Sequence, residues 1–208
     1  MNDKLNWKEK RSLIVQSGLQ LIPNVGGALS TAYYGTKQEK RFKRIESFYQ
    51  ELSEEVGKIQ LQLPSIDIHN QDSLIALIEE LNEKIEREHT EQKRDYFKRY
   101  LLSTLSSPTN DNFDERRFFL DALGNMTLLE CEILLLLYRN NEIRFQIRTI
   151  GIPGVKQFAI VGAINRLKTY GFIQSYTDGI YFGREDNTMQ EYVIPSDFGI
   201  NFIQYCLM

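Results

Sequence analysis

The chain has 208 residues, 42% hydrophobic and 25% charged, which is apolar enough for a real core and argues against global disorder. Twenty-five Lys and Arg against 28 Asp and Glu leave a formal net charge of −3, whereas a dedicated nucleic-acid binder is ordinarily basic. Cys131 and Cys206 each sit in an apolar helical pattern, and His69 and His89 stand far apart. These residues make neither a disulfide framework nor a zinc set, so the expectation is buried, reduced thiols with no metal or cofactor. Met1 to Arg11 is highly charged and lacks the apolar core of a signal peptide. No segment reaches about 18 consecutive apolar residues, so the reading is a cytoplasmic protein without an ordinary membrane span.

In chain order, a first helix is expected from about Lys4 to Leu21, interrupted by Pro23 and the Asn24-Val25-Gly26-Gly27 joint. A long second helix runs from near Ala28 to Leu63. In it Phe42, Ile45, Tyr49, Leu52, Val56, Ile59 and Leu63 alternate in steps of three and four. That is a heptad seam, burying one narrow face against a helix of the same chain or of a partner. A third helix, Asp72 to Glu88, repeats the spacing with Leu74, Ile78, Leu81 and Ile85. Thr90 is expected to cap a fourth, which carries Phe97, Leu101 and Leu105. The stretch from Ser106 to Asn112 is the clearest linker, dividing a helical bundle at 1–107 from a second domain at 113–208. A short helix, Asp114 to Leu123, then leads into the second domain.

The last third has the order of a winged helix. Thr127 and Glu130 form a capping box that opens a helix through Ile133 to Leu137. After a polar break at Arg139 to Glu142, Val155 to Thr169 forms a second helix, stopped by Tyr170-Gly171. Phe172 to Tyr176 and Ile180 to Gly183 are predicted as a hairpin around Asp178-Gly179. Tyr192 to Ile194 returns as a strand, and Ser196 caps a final helix carrying Phe198, Phe202, Ile203 and Cys206. The fold expected is therefore mainly α: an N-terminal antiparallel bundle or coiled coil, then a C-terminal winged-helix domain with a small hairpin wing.

On the Val155 to Thr169 helix, Lys156, Gln157, Asn165, Arg166 and Lys168 are the candidates for base or phosphate contact, helped by Arg144 and Arg148 if these cluster with them. Phe158, Ile160, Val161, Ala163, Ile164 and Leu167 are expected to hold the helix to the core. The wing, with Asp178, Glu185 and Asp186 against Arg184, is a poor tip for a phosphate backbone. The stretch around Leu21, Ile22, Val25, Leu29 and Tyr33, followed by Lys37, Lys40, Arg41, Lys43 and Arg44, has the composition of a membrane-surface segment or of a close-packed helical hairpin. Neighbouring carboxylates such as Glu54-Glu55 and Glu79-Glu80 point about 100° apart on a helix and make no acid/base pair. With no phosphate loop, nucleophile elbow or zinc-hydrolase motif, an enzyme is not expected.

Leu21-Ile22-Pro23-Asn24-Val25-Gly26-Gly27, then Thr90 to Phe97, Phe119 to Leu123 and the closing Val193 to Ile203 follow in a familiar layout. It resembles a broad group of bacterial proteins with a helical bundle and a C-terminal winged helix, often found in mobile-element or phage-defence settings. The resemblance implies no catalytic residues. Three functions follow: a non-enzymatic accessory subunit holding a protein partner or itself, a DNA-binding regulator, and a membrane-acting abortive-infection effector using residues 18–34.

Overall fold

The computed structural model describes residues 44, 45, 47–52, 54, 70–107, 112–140, 144–177 and 187–208. The membrane candidates Leu21, Ile22, Val25, Leu29 and Tyr33, the seam positions Phe42, Val56 and Ile59, and the predicted turn Asp178-Gly179 lie outside the described residues. The protein is mainly helical, with a small three-stranded antiparallel sheet near its C-terminus. It divides into two compact units, Met1–Asp121 and Ala122–Met208.

In the first unit, α1 (Gln71–Arg87) opens on Asn70, whose side chain accepts from the Ser73 N–H, and α2 (Glu91–Ser106) follows after a short joint. Leu74, Ile78, Leu81 and Ile85 are buried, as the three-and-four spacing predicts. The described seam residues Ile45, Tyr49 and Leu52 are buried too, and the Tyr49 hydroxyl donates to Asn82 Oδ1 of α1 at 2.8 Å. Asn82 thus sets a polar acceptor of α1 opposite the tyrosine.

At the α1–α2 joint, Thr90 occupies the cap position but makes no side-chain cap, contrary to expectation. Its hydroxyl and N–H both donate to the Glu88 carboxylate, at 2.6 and 2.8 Å, and Lys93 Nζ lies 3.3 Å from the other oxygen. Partial burial alone would raise the Glu88 carboxyl, but the two Thr90 donors and Lys93 overcome it and hold it below the usual carboxylate range. Glu51 is lowered in the same sense: burial opposes its charge, and Lys98 and Ser47 outweigh it. A group depressed on folding adds stability above its unfolded value and loses it as pH falls through the folded one. Urea unfolding followed by circular dichroism is therefore expected to show the first unit weakening below about pH 4.3, with Glu88→Gln flattening that dependence.

Helix α3 (Phe113–Asn125) starts in the first unit and crosses into the second. The sequence linker suggests a boundary between 107 and 113, whereas the compact units divide at 121/122. The difference has a visible cause. Arg116 is only 1% exposed and its Nη1 donates to the Thr104 and Ser107 carbonyls, at 3.1 Å each. Tyr100 Oη returns the tie, donating to the Arg116 carbonyl at 3.1 Å. The first turns of α3 thus belong with α2.

The second unit continues with α4 (Leu128–Arg139), β1 (Phe145–Gln146), a 3₁₀ turn at Ile147–Thr149, and α5 (Gln157–Thr169). After these come β2 (Ile173–Tyr176), a 3₁₀ turn at Asn187–Gln190, β3 (Tyr192–Pro195), α6 (Asp197–Phe202) and a π-helical turn at Ile203–Leu207. The Thr127–Glu130 capping box is present. Helix α5 ends in a Schellman arrangement: Gly171 has φ +75°, its N–H bonds the Lys168 carbonyl, and the Phe172 N–H bonds the Leu167 carbonyl. The sheet order is β1-β3-β2. Tyr176 pairs with Tyr192 and Ile173 with Pro195, so β2 lies against β3; the predicted hairpin partner at 180–183 lies outside the described residues. Both short elements β1 and its 3₁₀ turn escape the sequence patterns, being too brief to show a period. Ile133, Leu134, Leu137, Ile164, Leu167, Phe172, Val193 and Phe202 are fully buried and make the core. Cys131 and Cys206 are buried in it as free thiols. Burial pushes the Cys206 thiol well up, away from the reactive thiolate.

Candidate interaction face of helix α5

Helix α5 buries Ile160, Val161, Ala163, Ile164 and Leu167. At 100° per residue the opposite stripe holds Phe158, Gly162, Asn165 and Thr169. Phe158 corrects the sequence expectation: it is 72% exposed and does not hold the helix to the core. Its register puts it on the solvent face even though its residue type suggests burial. Ala159 and Gly162 are exposed beside it, and a Cβ placed on Gly162 would meet nothing within 4 Å.

The five polar candidates on this helix separate into two groups. Arg166 Nη1 lies 3.1 Å from Glu130 Oε1, and its Nη2 donates to the Asn125 carbonyl at 2.9 Å. Lys168 is in close ion-pair contact with Glu191. Gln157 Nε2 donates to the Ile147 carbonyl at 2.8 Å. These three are spent on the unit itself. Lys156, at the N-cap of α5, and Asn165 are exposed. Arg148 is exposed on the 3₁₀ turn that Gln157 fastens to the start of α5, with its Nε donating to Gln146 Oε1. Arg144 stands over the Tyr176 ring, 5.1 Å from its centroid. The cations thus do not gather on one face of α5.

Glu130 is the residue whose role the sequence understated. Beyond its capping box it carries the Arg166 ion pair while its own side chain is only 2% exposed. It accepts from the Thr127 N–H at 2.6 Å and from the Thr127 hydroxyl at 3.1 Å. Glu130→Ala removes the return half of the capping box and the Arg166 partner, leaving the Thr127 N–H unmatched. The expected loss is about 2 kcal/mol in chemical denaturation, and Glu130→Gln should lose less, since it keeps an acceptor.

Among the described residues no group of three or more His, Cys, Asp or Glu is placed to hold a metal ion, and no helix is long and apolar enough to cross a membrane. Compared with protein-family profiles, with curated proteins and with solved structures, the chain matches none.

Proposed function

We propose that the protein is a non-enzymatic interaction subunit of a bacterial phage-defence or mobile-element system, whose C-terminal unit is a winged-helix module that binds a protein partner through the outer face of α5. The winged-helix reading is supported by the element order and by the β1-β3-β2 sheet, in which β2 and β3 are joined by residues 177–191 where a wing would lie. Residues 122–208 carry seven Lys or Arg and eight Asp or Glu, a balance that favours a protein over a polyanion. The observation that carries the proposal is Phe158, a large aromatic held out to solvent on a helix whose Arg166 and Lys168 are already bound by carboxylates. Exposed aromatics set among small residues are typical anchors of protein interfaces.

The DNA-binding alternative keeps Lys156 and Asn165 as its exposed contacts. Two experiments separate the readings. A photo-reactive phenylalanine analogue at position 158, irradiated in a bacterial host, is expected to give a discrete protein adduct that the same analogue at the exposed Glu132 does not. Tight anisotropy binding to a random DNA duplex, falling steeply with salt and lost in Lys156→Ala, would instead establish the regulator reading.

A further inference from the structure

The partner's chemistry follows from charge. From Ile143 to Thr177 the chain contains no Asp or Glu, yet it carries Arg144, Arg148, Lys156, Arg166 and Lys168. Acids from outside that stretch neutralise two of these, Glu130 taking Arg166 and Glu191 taking Lys168. Three remain exposed: Arg144, which stands over the Tyr176 ring, and Arg148 and Lys156, none of them with a carboxylate partner among the described residues. The bond from Gln157 to the Ile147 carbonyl fastens the turn that carries Arg148, itself held by Gln146, to the corner at the start of α5, where Lys156 comes two residues before Phe158. Lys156 is the N-cap residue of α5, so the positive end of the helix dipole lies beside it.

Resting on the interaction reading above, we propose that the bound partner is an acidic protein segment, seating Phe158 in an apolar pocket ringed by carboxylates that meet Arg148 and Lys156. The low surface at Ala159 and Gly162 lets the partner's backbone approach beside the ring. The same corner suits a nucleic acid less well. A protein that holds a duplex strongly neutralises about six to ten phosphates, whereas this corner offers two cations around a projecting aromatic. An aromatic with a charged rim is the composition of a protein hot spot, in which the rim charges set specificity and association rate.

The test uses the full chain and a library of short random peptides displayed on phage, panned at low salt. The expected outcome is enrichment of peptides with Asp or Glu flanking an apolar cluster. Their affinity should fall about tenfold or more in Phe158→Ala, should fall comparably in the double variant Arg148→Glu/Lys156→Glu, and should weaken with added salt. All three residues are exposed, so the variants should keep the wild-type circular dichroism spectrum and melting temperature. Peptides that need Phe158 but show no acidic bias and ignore both the charge reversals and salt would overturn the acidic partner while leaving the interaction module standing. Peptides indifferent to Phe158, or no enrichment above a Phe158→Ala control, would overturn both. A duplex DNA probe bound more tightly than any enriched peptide would assign the corner to nucleic acid and also overturn the proposal.

Discussion

Replacing Gly199 by alanine is expected to cost the C-terminal unit about 3 kcal/mol or more, enough to leave a large fraction of it unfolded at moderate temperature. A Cβ at that position would lie 2.0 Å from the Phe172 carbonyl oxygen and 2.8 Å from its carbon. The obstacle is backbone, and it is fastened on three sides. The Phe172 N–H bonds the Leu167 carbonyl, its own carbonyl accepts from the Ser196 N–H at 2.9 Å, and its buried ring stacks on Phe202 at 4.2 Å. The Ser196 side chain also caps α6 through the Gly199 N–H, so the helix cannot retreat without losing its first bond. Urea unfolding of Gly199→Ala, followed by circular dichroism, should show the transition of this unit moved to markedly lower denaturant. A midpoint equal to wild type would mean that the Phe172 strand start can shift freely.

The second large effect is expected at Arg116. Its guanidinium supplies the last turn of α2 with donors that a helix end lacks: Nη1 to the Thr104 and Ser107 carbonyls and Nη2 to Ser107 Oγ at 2.9 Å. Arg116→Leu keeps an apolar filling of part of the space but orphans two carbonyls at a closed site. The expected loss is about 3 kcal/mol, and Arg116→Lys should restore only part of it because an ammonium cannot reproduce the planar fork. Hydrogen exchange gives a sharper reading than a melt. Amides in the last turn of α2 and the first turns of α3 should lose protection together, since Tyr100 and Arg116 hold the two helices reciprocally. Loss confined to α3 would show that Arg116 does not serve the α2 end.

Much of the second unit could be read from local chemistry. Thr127 and Glu130 announce a helix start by their spacing, Gly171 announces a helix end, and Ser196 announces the next start, and each does so through bonds spanning at most five residues. The three-and-four apolar spacing likewise marks the buried faces of α1 and α5, with Phe158 the exception, because its register and not its residue type sets its exposure. The long-range pairings were not legible. The Tyr176–Tyr192 register closes a gap of 15 residues, and nothing in either strand names the other.

The candidate face was legible in part. The sequence shows that Lys156, Arg166 and Lys168 share one helix, and that no acid occurs from Ile143 to Thr177. It does not show that Glu130, from α4, and Glu191, just before β3, reach across to Arg166 and Lys168. What the sequence by itself determined was where helices begin and end, which faces are apolar and how charge is distributed along the chain, because those properties depend on neighbours within a turn or two. Only the tertiary structure decided which cations remain to meet a partner, where the compact units divide and why Gly199 must lack a side chain. Those depend on groups distant in sequence coming within bonding or van der Waals distance.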